Sequence, residues 1–434
     1  MNKVHKVMIG ITGIFFLIGI AYVGFYRNGS SSLANKKSSQ TKNIEDKSNA
    51  QNDVTNIRIT AVGDILIHES QLKAQLNKTT KQYDFTNNFK YVKPHISKAD
   101  LAIANLETSL SRGEKGYSGY PVFVSPSSIV DALQDTGFDL LTTANNHIYD
   151  GGAKGFFTTQ QILKEKNIDY IGIRNSDDEE SFIIRDIKGI KVGISNYTYE
   201  NSTTANSKSI NSVKVDKKVE NLIDTFNYKN IKSNLASMKE RVENMRSKGA
   251  EIIIFYVHWG EEYERKPNKS QKELAQGLAD LGVDIVFASH PHVLQPIEYV
   301  KSKAEDKETL VVYSLGNFIS NQRYEILKQR YSEDGLIVNV DIEKDEKNNK
   351  ISIKDVSYIS TWVNRYENNN NFVYEIVPVD EGLKDKQAYN LVTEEMVWRA
   401  ENSGKNTMAI IEESSGRVVS TFKLDSNIKT NNNK

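Results

Sequence analysis

The sequence predicts an α/β protein, a sheet covered on both faces by helices, and three observations carry that reading. Six apolar runs of strand length recur between Ile57 and Ile319, and amphipathic segments fill the intervals between them. Each run ends in polar residues able to bind or to react. The runs are also close to continuously apolar, the pattern of strands buried on both faces.

The runs follow in chain order. "IRITAVGDILIH" gives a strand ending at Gly63 and Asp64, with His68 just beyond. "ADLAIANLETSL" delivers Asn105 and Glu107, and "GFDLLTTANNHIYDGG" delivers Asn145, Asn146, His147 and Asp150. The apolar stretch from Ile252 to Val257 in "AEIIIFYVHWGEEY" is followed at once by His258, Trp259, Glu261 and Glu262. "VDIVFASHPHVLQP" places His290 and His292 around Pro291, which forbids a helix there. "TLVVYSLGNFIS" delivers Asn317. Ligands in open α/β sheets bind beyond the carboxyl ends of the strands, where all these residues lie.

Helices are expected at "SPSSIVDALQDTG", "GAKGFFTTQQILKEKN", "IKSNLASMKERVENMRSKG" and "SQKELAQGLADLG". The last opens on a capping-box pattern, Ser270-x-x-Glu273, and stops at Gly282. Residues 200–230 turn polar and irregular, as in an inserted lid or partner-binding segment. After Gly335 two alternating strands surround a charged turn, then a mixed strand and helix stretch leads to the "TNNNK" tail, expected to be disordered. The main domain is thus expected over 56–335 and a C-terminal extension over 336–434.

"VMIGITGIFFLIGIAYVGFY", Val7 to Tyr26, carries no charge and is long enough to cross a bilayer as a helix. Lys3 and Lys6 precede it, so residues 1–27 read as a signal anchor with its N-terminus inside. Residues 28–55 are polar and read as a tether. The expected location is therefore the cell membrane, crossed once, with the folded part facing the extracellular side.

Composition narrows the chemistry. Over 434 residues the 56 Lys and Arg balance the 56 Asp and Glu, which argues against a protein built to bind nucleic acid. Cysteine is absent, which excludes disulfides, thiolate ligands and a Cys nucleophile. A metal site must use His, Asp, Glu or Asn. Five of the seven histidines, His68, His147, His258, His290 and His292, follow a strand-like run, whereas His5 and His95 do not. Imidazole with carboxylate and amide oxygen suits divalent Zn, Mn or Fe, and two such ions can clamp one substrate oxygen. No single histidine carries this signal; the set does.

The ordered motifs "GDILIH", "NLETSL", "ANNHIYDGG", "HWGEEY", "SHPHVLQP" and "YSLGNFI" resemble the CapA/PgsA family of capsule and poly-γ-glutamate biosynthesis proteins, over about residues 57 to 320. The resemblance implies calcineurin-like metallophosphoesterase-type layered sheets with helices outside. It also implies an extracytoplasmic subunit working with membrane-embedded polyglutamate synthase and export subunits on an anionic polymer. Asp64 resembles the first-strand metal Asp of that superfamily, but its D-x-H signature is here Asp64-x-x-x-His68. Glu107 stands in the place of a bridging Asp, with Asn105 as the other occupant. Asn146 and His147 resemble the Asn-His pair, His258 the following metal His, and His290 with His292 the closing pair. The expected metal ligands are then Asp64, His68, Glu107, Asn146, His258, His290 and His292. His147, Asp150 and Glu262 are the expected catalytic residues, and Asn105, Trp259 and Asn317 the expected substrate contacts. The uses of the site that remain open are a metal-dependent hydrolase or transferase, a polymer-holding assembly subunit without catalysis, or a metal-dependent phosphoesterase or amide hydrolase outside capsule synthesis.

Overall fold

The computed structural model describes residues 54–202 and 207–421. The expected anchor, nearly all of the tether and the "TNNNK" tail lie outside the described residues. Among the described residues no helix is long and apolar enough to cross a membrane.

Two sheets form the centre. In the first, β1 (Val54–Ile65), β2 (Leu101–Leu106), β3 (Leu140–Thr142) and β4 (Asp169–Ile171) run parallel to one another in that order. In the second, β5 (Phe182–Ile187) pairs antiparallel with β6 (Ile190–Tyr199), which is followed by the parallel strands β7 (Ile252–His258) and β8 (Ile285–Ser289). The antiparallel pair β9 (Leu294–Lys301) and β10 (Glu308–Leu315) follows, β10 lying beside β8, and the short strand Thr225–Phe226 pairs parallel with β6 at the other side.

Strand alternation explains how the sheets stack. In β7, Ile252, Ile254 and Tyr256 point into a core shared with Ile57, Ile59, Leu101, Ile103 and Leu140 of the first sheet. Ile253, Phe255 and Val257 point the other way, onto α4 (Ile231–Ser247) and α5 (Lys269–Asp280). Ala102, Ala104 and Leu106 of β2 likewise face α2 (Ser128–Thr136) and α3 (Gly152–Glu165). The result is two sheets face to face with helices outside, the mixed α/β class read from the sequence.

Three local readings change. The capping box of α5 is Asn268 with Gln271, because Asn268 Oδ1 accepts from Gln271 N and Gln271 Oε1 from Asn268 N, each at 2.9 Å; Ser270 already lies inside the helix. The described part of the 200–230 segment is packed rather than irregular: Ile210, Val215, Val219 and Ile223 bury against Ile148, Tyr149 and Phe156, clamping the loop that carries His147. The boundary expected near residue 335 falls where β11 (Asp334–Asp345) begins, and β11 pairs antiparallel with β1 along nine residue pairs from Val54↔Asp345 to Val62↔Ile337. β12 (Lys350–Asn368) and β13 (Asn371–Pro378) extend the same sheet, and α6 (Glu394–Ser415) follows.

Candidate metal centre

The parallel strands β1, β2, β3, β7 and β8 all deliver their ends to one place. Inward-facing positions in β1 are Ile57, Ile59 and Ala61, and a register shift between Ala61 and Asp64 then brings Asp64 into the same crevice. Gly63 permits this, since a Cβ there would stand 1.9 Å from the carbonyl oxygen of Gly316. In β2 the inward phase of Leu101 and Ile103 continues through Asn105 to Glu107, and in β7 that of Ile254 and Tyr256 continues to His258. The loop after β8 carries His290 at φ 101° and His292 at φ 56°. Non-glycine residues pay for such a backbone, and the cost is borne where the two imidazoles are needed.

Two groups of donors result. Glu107, His258 and His290 bring one ligating atom each within 4.8 Å of one another, and so do Asp64, Glu107 and His292. Glu107 belongs to both. All five side chains are buried. Among the described residues neither Glu107 oxygen accepts a hydrogen bond, and His290 Nδ1 has no hydrogen-bond partner. Orphaned buried donors are costly unless something absent from the polypeptide satisfies them. The donor set, two carboxylates and three imidazoles, fits divalent cations. Asn146 Oδ1 lies 2.8 Å from His258 Nε2, so it adds an oxygen to the first group.

Other residues hold the ligands in place. Asn105 Nδ2 donates to Asp64 Oδ1 at 2.8 Å, and Asn145 Nδ2 donates to Asn105 Oδ1 at 3.2 Å. His292 Nδ1 lies 3.1 Å from both Asp64 Oδ2 and Asn317 Oδ1, so that nitrogen carries the proton and Nε2 is turned to Glu107 Oε1 at 3.9 Å. Ser289 Oγ, 3.3 Å from His258 Nδ1, does the same for His258.

The electrostatics are those of a site awaiting positive charge. Burial, then the nearby Asp64, push the Glu107 carboxyl well above the usual range. Burial would raise Asp64 too, but its hydrogen bond to His292 and the charge there hold it below the ordinary value. Burial lowers His258 to about 3, and burial with the neighbouring His258 and His292 holds His290 well below its ordinary value. His292 is raised, because the Asp64 hydrogen bond and charge outweigh burial.

Residues 58–322 match the family described as bacterial capsule synthesis protein PGA_cap. The chain belongs to that family. It is 28% identical over 273 residues to the capsule biosynthesis protein CapA of Bacillus anthracis, covering 61% of this chain and 60% of that protein. Against the PGA biosynthesis protein CapA of Bacillus subtilis (strain 168) it is 28% identical over 269 residues, covering 60% and 62%. The chain thus spans about three fifths of the length of these relatives. Similar solved structures include a phosphatase from Mycoplasma pneumoniae (TM-score 0.39, 14% identity, 78% of this chain and 100% of that chain). The calcineurin-like phosphoesterase YfkN from Bacillus subtilis is another (TM-score 0.40, 13% identity, 82% and 98%).

In this PGA_cap member the expected residues sort by position. Asp64, Glu107, His258, His290 and His292 form the donor groups, with Asn146 beside them. His68 joins neither group, because the chain turns into α1 (Glu69–Gln75) directly after it; its Nδ1 accepts from Asn321 N at 3.3 Å, and Leu66 occupies the position two residues after Asp64. His147 also stands apart, its Nδ1 2.8 Å from Asp150 Oδ2, which in turn accepts from Phe123 N at 2.6 Å. Glu262 is exposed at the rim. Trp259 is no substrate contact: one residue past His258, it takes the outward phase of β7, where it stacks on Tyr313 and donates to that residue's carbonyl at 2.9 Å. Asn105 and Asn317, the expected substrate contacts, are fully buried and lie within hydrogen-bond distance of the candidate ligands Asp64 and His292. Tyr199 went unread, although it ends β6; its ring centroid lies 4.8 Å from His290 and its plane is parallel to His258.

Burial holds the His68 imidazole down to about 4, with His292 and His147 adding to the effect. A folded-state value below the unfolded one of about 6.5 means that the unfolded chain takes up a proton the folded one refuses. Stability is therefore expected to fall as pH drops from about 6.5 to about 4, by roughly 1 kcal/mol per pH unit from this group, and to level off below. Denaturant unfolding at several pH values should give a shallower slope for His68→Gln than for the wild type. Equal slopes would show that His68 titrates freely.

Proposed function

We propose that the chain is a membrane-anchored, extracytoplasmic component of poly-γ-glutamate capsule synthesis that carries a metal-dependent hydrolase centre acting on the polymer, its terminus or a phosphorylated intermediate. The observation that carries this is the buried carboxylate of Glu107, shared by two donor groups and given no hydrogen bond by the described residues. Asp64, Glu107 and His292 would hold one divalent ion, and Glu107, Asn146, His258 and His290 the other. Ions bound there supply Lewis-acid polarisation of a substrate oxygen. Asp150 fixes the His147 tautomer with the proton on Nδ1, leaving Nε2 to exchange a proton with the reacting group. The buried wall of Asn105, Asn145, Asn317 and Ser289 keeps the ligands from rotating.

A second reading, a polymer-holding assembly subunit, is favoured by one observation. With Leu66 in place of a histidine, the Asp64 group has three donors and the other has four. One tightly bound ion and one weaker one are expected on this basis. Metal analysis of the full-length protein after graded dialysis, with assays on phosphoesters and γ-glutamyl amides, tests both readings. Bound metal without turnover of either substrate favours holding, and no bound metal removes the hydrolase reading.

The membrane part of the proposal predicts that protease added to intact cells releases the folded domain by cutting within residues 28–53. Cleavage only after lysis would reverse the orientation.

A further inference from the structure

A cavity of about 530 Å³ opens beside the metal centre, between the start of α1, the turn joining β12 to β13, and the loop before Pro121. We propose that it binds a neutral saccharide unit, so that the protein meets a glycan as well as the charged polymer. The proposal stands beside the metal reading and does not depend on it, since binding is measured without turnover.

His68 lies at the wall, and Tyr120, Asn321, Asn370, Asn371 and Phe372 line the rest. Tyr120 is 79% exposed and Phe372 41% exposed. Two aromatic faces left in water beside a cavity are suited to the apolar CH face of a pyranose ring. The three asparagines supply paired donors and acceptors of the kind that match ring hydroxyls. These groups are held in place. The Tyr374 hydroxyl lies 2.9 Å from both Ser70 Oγ and Asn321 Oδ1, and the Asn321 backbone N–H is given to His68.

Charge argues against a polyanion. Lys73, the cation of the lining, is paired with Glu69 at 3.3 Å. Arg365 lies 4.7 Å from the Phe372 ring centroid, but its guanidinium serves Asn321 Oδ1 at 3.3 Å and Glu325 at 4.0 Å. Lys73 and Glu69 of the lining cancel in charge, so a γ-glutamyl segment would find no net positive charge there.

The cavity is tied to the centre by one loop. Gly119 lies so close to α1 that a Cβ would stand 2.3 Å from Glu69 N, and this approach sets Tyr120 over the opening. Phe123 of the same loop packs edge-on against both His68 and His147, with centroids 5.0 and 4.7 Å away. A sugar held at Tyr120 would sit next to the His147 side of the site.

The test uses full-length protein in a sugar-free detergent, titrated by calorimetry with cellotetraose, maltotetraose, tetra-N-acetylchitotetraose and a γ-glutamyl tetramer. At least one neutral oligosaccharide should bind, and Tyr120→Ala and Phe372→Ala should each weaken it by roughly tenfold with metal content and unfolding midpoint unchanged. The proposal is overturned if none of the three sugars binds at millimolar concentration. It is equally overturned if binding ignores both substitutions, or if the γ-glutamyl tetramer is the ligand whose binding Tyr120→Ala removes.

Discussion

Glu107→Gln is expected to strip metal from both donor groups at once, lowering affinity by at least about 10²-fold, while the metal-free protein folds at least as well as the wild type. The first half follows from the position of Glu107 in both groups. The second follows from burial, which already favours the uncharged carboxyl in the metal-free protein, so an amide of the same shape adds no charge to the buried site. Substitution of His290 or His292 should empty one group and spare the other. Metal content per folded molecule after dialysis, read with denaturant unfolding, checks this. Wild-type metal content in Glu107→Gln would sink the shared-ligand arrangement, and with it the carrying observation of the proposed function.

His147→Ala should keep its metal and lose turnover by about 10²- to 10⁴-fold, the usual contribution of a positioned acid or base. His292→Ala should lose turnover together with the ion of the Asp64 group, keeping the other. The contrast rests on geometry: His147 bonds to Asp150 and joins no donor group, whereas His292 is held between Asp64 and Asn317 with its other nitrogen toward Glu107. Asp150→Asn should lower turnover as well, since an amide no longer selects the Nδ1 proton. If both His147→Ala and His292→Ala cells make polymer normally, the catalytic reading fails and the holding one stands. If His147→Ala is silent and His292→Ala abolishes polymer, the ions serve structure or substrate binding.

What the sequence disclosed and what it hid have separate physical causes. Strand ends were readable because apolar runs stop abruptly at polar residues, and this placed Asp64, Glu107, Asn146, His258, His290 and His292 in one crevice. Side-chain direction at those ends was less readable. Trp259 adjoins His258 in sequence, yet strand alternation sends it to the opposite face, into the core beneath α5. The β1 register shift hides how far His68 lies from the candidate donor side chains, because chain spacing does not report where the backbone turns into α1. Tyr199 was missed because β6, "IKVGISNYTY", mixes polar and apolar residues, and only its parallel pairing with β7 brings the ring over His258 and His290.

The pairing of β1 with β11 bears on how the protein comes into being. β1 carries Asp64 and lies inside its sheet, with β2 on one side and β11, from the far end of the chain, on the other. During synthesis the first ligand emerges early, but its strand keeps an open edge until residues 334–345 arrive, long after His290 and His292. Closing so long a loop is slow, and an uncovered strand edge invites pairing with other chains in the interval. Completion of the sheet is therefore a late event, and a nascent chain that stalls before β11 holds every candidate donor yet leaves residues 54–62, the part of β1 that leads to Asp64, unpaired along one edge.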